Sequence, residues 1–160
     1  TTVALAVPLA RQMRQLPPLL IAVVTTVLVG GFFATVCALA MANLFAVEPL
    51  VLLSLAAKSV TTPIAVGITE QIGGLVTLVV MVVLLTGIVG ILVANKVFNY
   101  YSVSDERWQG LILGISAHAI GTAKAFEQSS RCGAFAALGM GLNGIWTAIF
   151  LPLVLPFFIH

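Results

Sequence analysis

KSVTTPIA, residues 58–65, places a lysine, a serine, two threonines and a proline inside an apolar run. Leu50 to Ala57 before it and most of Ile64 to Ile72 after it are aliphatic or small. Polar groups in such surroundings need a physical reason, and the rest of the chain narrows the choice.

The chain has 160 residues, of which 61% are hydrophobic and 8% charged. Its mean hydropathy is +1.18. Soluble domains carry about 25% charged residues, so this chain cannot cover a water-facing surface. Its long unbroken apolar runs also differ from the short alternating segments of a membrane β-barrel. It reads as an all-α polytopic integral membrane protein in one membrane domain, residues 1–160. A net charge of +2 without a basic cluster gives no reason to expect a nucleic-acid partner. His118 and His160 have no Cys or carboxylate at ligand spacing, so no metal or other cofactor is expected. Cys37 and Cys132 lie in or beside apolar segments and read as buried free thiols. So few polar residues cannot assemble a nucleophile, base and orienting group, so an enzyme is not expected. The chain opens at Thr1, without a Met, in what reads as the end of an apolar segment, residues 1–10, so it reads as a fragment of a longer protein.

A spanning helix needs roughly 20 apolar residues. Leu19–Leu44, Leu75–Ala94 and Ala134–Ile159 satisfy this, the last despite Asn143, Pro152 and Pro156. Leu50–Ile72 and Trp108–Ser130 differ: each is apolar, then polar, then apolar again, with HAIGT (118–122) as the second interruption. Each is a broken helix. Sliding the chain by 57 residues places Ser59 on Ser116, Glu70-Gln71 on Glu127-Gln128, Thr86 on Asn143 and Gly87 on Gly144. The shared order predicts repeat units at 48–98 and 105–158. Interrupted segments at matching places in two repeats are the sequence pointer to a transporter's binding site.

Charge suggests how the broken segments run. If both are re-entrant, Arg11, Arg14, Lys96, Arg107 and Arg131 share one side, and loop 45–49 opposite holds only Glu48. Basic residues concentrate on the cytoplasmic side, so re-entrant segments are expected. A half-segment of about 10 residues rises about 15 Å, half of a 30 Å core. Two hairpins entering from opposite faces then bring their tips to the midplane, in an inverted repeat.

Backbone that leaves a helix at membrane depth must be buried in protein or line a wet cavity. Thr62-Pro63 reads as an N-cap followed by the first helical residue. The half-helix behind it aims its positive end at the break, where a carboxylate would be favoured. Gly121-Thr122 reads as the matching cap in the second segment. Lys58 and Lys124 are expensive at bilayer depth. Each is open to two readings, a cation for an anionic substrate or a paired or snorkelling lysine; for Lys124 the pair would be with Glu127. His118 is a satisfied buried donor or a substrate- or proton-binding group. Asn143 and Thr86 serve helix packing or line the site. Glu70 and Glu127 read as interfacial anchors.

KSVTTPIAVGITEQIGG (58–74), LTGIVG (85–90), SAHAIGTAKAFE (116–127) and GAFAALGMGLNGIWTA (133–148) resemble the LrgB/CidB family, as does TTVALAVPLARQ (1–12). The resemblance spans essentially the whole chain. It implies either an antiholin-like regulator of murein hydrolase activity and lysis, or a carrier of small monocarboxylates such as pyruvate, glycolate, glycerate or lactate. It also implies a small LrgA/CidA-like membrane partner, a bacterial inner-membrane location and further N-terminal membrane segments. Lys58, Ser59, Thr61, Thr62 and Pro63 match the first family motif; His118, Gly121, Thr122, Lys124 and Glu127 match the second. With the cap argument, these residues and Asn143 form the expected substrate site of a carrier working by alternating access. A homo-oligomer in the lipid bilayer is expected.

Overall fold

The structure, a computed structural model, describes residues 17–158. The apolar tail expected at residues 1–10, together with Arg11, Arg14 and His160, lies outside them. Six α-helices and no strands make up the described residues. A 3-10 turn at Pro17–Leu19 leads into α1 (Leu20–Leu44), followed by α2 (Pro49–Ala56), α3 (Thr62–Ile72), α4 (Val76–Tyr100), α5 (Glu106–Gln128) and α6 (Ser130–Val154). Pro17–Leu44, Val76–Tyr100 and Ser130–Phe157 are long and apolar enough to cross a membrane.

These spans match the three uninterrupted apolar runs, with shifted ends. α4 continues beyond Ala94 to Tyr100, because Asn95, Lys96 and Asn99 are good enough helix residues once they leave the hydrocarbon. α6 starts at Ser130 rather than Ala134, because Ser129 caps it: its hydroxyl oxygen accepts from the Cys132 N–H at 3.0 Å. Pro152 sits in the last turn of α6 without ending it. The outer faces stay apolar: Ile21, Val29 and Phe33 on α1, Leu85 and Leu92 on α4, and Ile145 and Ile149 on α6 are exposed. In a bilayer that surface meets lipid tails.

Both broken segments turn back on themselves. In the first, α2 and α3 are joined through residues 57–61. The chain returns to α2 beyond α3: the Leu75 N–H donates to Ser54 Oγ at 2.7 Å. Ser54 is fully buried and donates its own proton to the Leu50 carbonyl at 2.7 Å. Gly73 ends α3 with φ +79, a left-handed conformation that glycine adopts without steric cost, and the Gly74 N–H donates to the Thr69 carbonyl at 2.9 Å. In the second, α5 breaks at His118, whose φ of 50 and ψ of −128 reverse the chain. The reversal brings Ser129 back to Glu106, hydroxyl to carboxylate, at 2.8 Å. A straight helix would hold those two residues more than 30 Å apart, at about 1.5 Å per residue. Because α4 separates the hairpins, they open toward opposite ends of the bundle. Lys96, Arg107 and Arg131 therefore share one end, with Glu48 and Glu70 at the other.

Small residues hold the second hairpin to α6. Gly110 and Gly114, four apart on the first half of α5, lie against the carbonyls of Cys132 and Ala136 so closely that no side chain fits between. Lipid tails are as apolar as leucine, so membrane helices associate mainly through such close packing. At the hairpin base Asp105 caps α5 by accepting from the Arg107 N–H at 2.9 Å. The Arg107 side chain hydrogen-bonds the same carboxylate and holds it below the usual carboxylate range.

Two outcomes check this architecture. Single cysteines at Ser104 and Gln128, in a chain without Cys37 and Cys132, should react with impermeant maleimide from one side of the membrane, and cysteines at Glu48 and Gln71 from the other. Gly114→Ala should lower stability by about 1–3 kcal/mol through overpacking, read as an earlier transition in detergent unfolding.

Candidate functional site

The polar residues of the two breaks converge. From Pro49 to Ala56, α2 rises about 12 Å, and from Glu106 to Ala117 the first half of α5 rises about 18 Å, so both tips lie deep in a core about 30 Å thick. α4 packs on the tip of the second hairpin, and α6 on that of the first. A side chain at Gly87 would come within 2.8 Å of Ile120, and one at Gly90 within 2.9 Å of the Ser116 carbonyl. In α6, Asn143 Nδ2 donates to the Ser59 carbonyl at 2.7 Å, and a side chain at Gly144 would come within 2.6 Å of Ile64.

Between these elements lies a cavity of about 310 Å³ lined by Thr26, Gly30, Ala34, Lys58, Ser59, Thr86, Ile112, Ile115 and Ser116. Lys58, Thr86 and Ser116 also border a cleft that continues along α4 beside Val82, Val89 and Gly90. Lys58 Nζ donates to Ser59 Oγ at 3.3 Å, and among the described residues no carboxylate pairs with it. Ser116 donates to the Ile112 carbonyl at 2.7 Å and Thr26 to the Ala22 carbonyl at 2.7 Å. Their oxygens keep lone pairs for a bound hydroxyl. The site therefore offers one cation, hydroxyl donors and hydroxyl acceptors, the groups that recognise a small oxygenated anion.

The expected site residues fall into several groups. Lys58 and Ser59 line the cavity. Thr61 and Thr62 lie on a separate, smaller pocket of about 30 Å³, facing His118 and Ile120. The caps differ from those read in the sequence. Thr61, in extended conformation, is the N-cap of α3; Thr62 is the first helical residue and Pro63 the second, and no side chain caps the end. The second half-helix starts directly after His118, which places Gly121 and Thr122 inside it rather than at its cap. Thr122 instead donates to the His118 carbonyl at 2.8 Å. Gly121 lets the returning half-helix of the hairpin lie against the Leu113 carbonyl. Lys124 stands outside the cavity, paired with Glu127 at 2.7 Å on the surface. Asn143 is fully enclosed and holds the first tip rather than lining the cavity.

His118 is 2% exposed, and among the described residues neither imidazole nitrogen has a hydrogen-bond partner. Its positive φ is a conformation that a non-glycine residue holds only where its surroundings enforce it. The tip of the second hairpin is thus a strained turn carrying an unpaired buried base. Sequence reasoning missed Ser54, Gly30 and Ser116 as parts of the hairpin or cavity. Only Ser116 had a signal, its alignment with Ser59 in the 57-residue offset.

Asn143 and Thr86, aligned in sequence, should behave differently. Asn143→Ala removes the bond to Ser59 and should cost about 1–2 kcal/mol. Thr86→Val, at a side chain that lines the cavity, should stay within about 0.5 kcal/mol. Thermal unfolding of the two purified variants in detergent checks this.

The LrgB-like family matches residues 1–157. Over 156 residues the chain is 35% identical to the uncharacterized protein YwbG of Bacillus subtilis, covering 98% of this chain and 69% of that one. It is 31% identical to YxaC of the same organism, also uncharacterized, over 98% of this chain and 68% of that one. The holin-like protein CidB of Staphylococcus epidermidis is 27% identical over 99% of this chain and 69% of its own. No solved structure matches. The chain belongs to the LrgB-like family of membrane proteins.

Proposed function

We propose that this chain is the substrate-binding part of a carrier for small monocarboxylates, of the pyruvate, glycolate, glycerate or lactate type, in the bacterial cytoplasmic membrane. The observation that carries this reading is the deep cavity where Lys58, without a carboxylate partner among the described residues, meets Ser59, Thr86 and Ser116. A carboxylate placed there neutralises the lysine; the Ser59 and Thr86 hydroxyls donate to its keto oxygen, and Ser116, whose proton goes to the Ile112 carbonyl, accepts from a substrate hydroxyl. The half-helix N-termini at Thr62 and beyond His118 add positive potential nearby. The crossed packing, each spanning helix on the other unit's hairpin tip, supports an inverted repeat of 48–98 and 105–158. In such folds, rocking one unit against the other gives alternating access. The shared end of Lys96, Arg107 and Arg131 is taken as cytoplasmic. A small LrgA/CidA-like membrane subunit and a second copy of the chain are the proposed partners.

A second reading comes from the relatives. Those called holin-like favour a regulator of murein hydrolase activity and lysis that acts by assembling in the membrane. That role places no demand on a partnerless lysine at a cavity.

Uptake of labelled pyruvate and glycolate into proteoliposomes, with and without the small subunit, separates the two. The carrier reading expects saturable uptake that falls at least about tenfold in Lys58→Ala at equal protein level, since losing a charge-assisted bond costs roughly 1.5–3 kcal/mol. Leakage of an entrapped dye without saturable uptake would instead establish the holin-like reading.

A further inference from the structure

The cavity lining is of two chemical kinds. Lys58, Ser59, Thr86, Ser116 and Thr26 are polar; Gly30, Ala34, Ile112 and Ile115 are apolar. An anion held only by its carboxylate and a neighbouring oxygen needs the polar groups alone. The rest of the lining is an apolar wall, and the space before it is left open by α1 itself. Thr26, Gly30 and Ala34 recur every four residues, so they share one face of that helix. Small residues on a membrane helix usually let another helix approach. Gly31 does this: a side chain there would lie 2.5 Å from Asn143 Oδ1 and 2.8 Å from the Trp146 ring. Gly30, its neighbour, has a different environment. A Cβ at Gly30 would meet only Ile115 Cγ2, at an ordinary contact distance of 3.7 Å. Among the described residues no helix fills the volume that Gly30 leaves; the cavity does.

We propose that Gly30 sets the size limit of the transported anion, and that the ligand class is a monoanion carrying a short aliphatic body, its carboxylate toward Lys58 and its tail toward Gly30, Ala34 and Ile115. The inference rests on the carrier reading and adds to it the orientation of the substrate and the residue that limits its length. Each methylene buried against the apolar wall should tighten binding about three- to fourfold until the wall is reached. A branched side chain at position 30 would occupy the part of the cavity beside Ile115.

The test is inhibition of labelled pyruvate uptake by unlabelled pyruvate, 2-oxobutyrate, 2-oxovalerate and 2-oxocaproate. It uses proteoliposomes holding the full-length protein as wild type, Gly30→Ala and Gly30→Val. The expected result is inhibition that strengthens with chain length in wild type, levels off earlier in Gly30→Ala, and is about tenfold weaker for 2-oxocaproate in Gly30→Val. Gly31→Ala serves as the packing control and should lower the amount of folded protein, which Gly30→Ala should not. An unchanged chain-length profile in Gly30→Val, or an equal loss for all four acids, would overturn the role of Gly30 while leaving the carrier intact. A wild type without saturable pyruvate uptake would overturn the carrier reading itself, and this inference with it.

Discussion

The structure depends on a constraint of the bilayer: a backbone amide that leaves a helix inside the hydrocarbon has no water to turn to. This chain leaves its helices twice at depth, at residues 57–61 and at His118, and much of the fold answers that cost. Asn143 crosses from α6 to satisfy the Ser59 carbonyl. Ser54 takes up the Leu75 amide where the first hairpin closes. The tip at Ser116 and Ala117 lies directly against Gly87 and Gly90 of α4, which shields its carbonyls from lipid. The glycines and the polar side chains thus belong to one solution, since close approach and hydrogen bonding both protect exposed backbone.

Meeting that constraint creates the conditions for binding. Two interrupted segments whose tips must be buried are pressed toward the same depth, and their polar residues gather there. Lys58 lies among hydroxyls with no carboxylate partner among the described residues, a condition that a purely structural lysine would relieve by pairing, as Lys124 does with Glu127. His118 stays buried and unpaired at a strained turn. Stabilisation alone would favour an apolar residue at the first site and a glycine at the second.

Much of this was legible in the sequence because hydrophobic length is a strong signal. The three apolar runs became α1, α4 and α6, and KSVTTPIA and HAIGT marked the breaks. Alignment by 57 residues paired Thr86-Gly87 with Asn143-Gly144, and the glycine of each pair packs on a hairpin. What sequence reading missed depends on three-dimensional proximity. The caps at Thr62 and Thr122 were displaced because local hydroxyl patterns do not reveal where the chain reverses; His118, with no glycine to announce a positive φ, does so itself. The opposite roles of Gly30 and Gly31 cannot be told from a Gly-Gly pair, since only the neighbouring α6 fills one and leaves the other empty. Ser54 looked like one more small residue in an apolar run, and its bond to Leu75 requires knowing that the chain returns.

The bond between Ser129 and Glu106 has a consequence for how the protein enters its membrane. It ties the two ends of the second hairpin together, so Arg107, Glu127 and Arg131 all lie at one end of the bundle. No charge flanking this hairpin has to cross the bilayer centre, which avoids the penalty of carrying arginine through it. The hairpin fits a slot shaped by α4 and the small-residue face of α6.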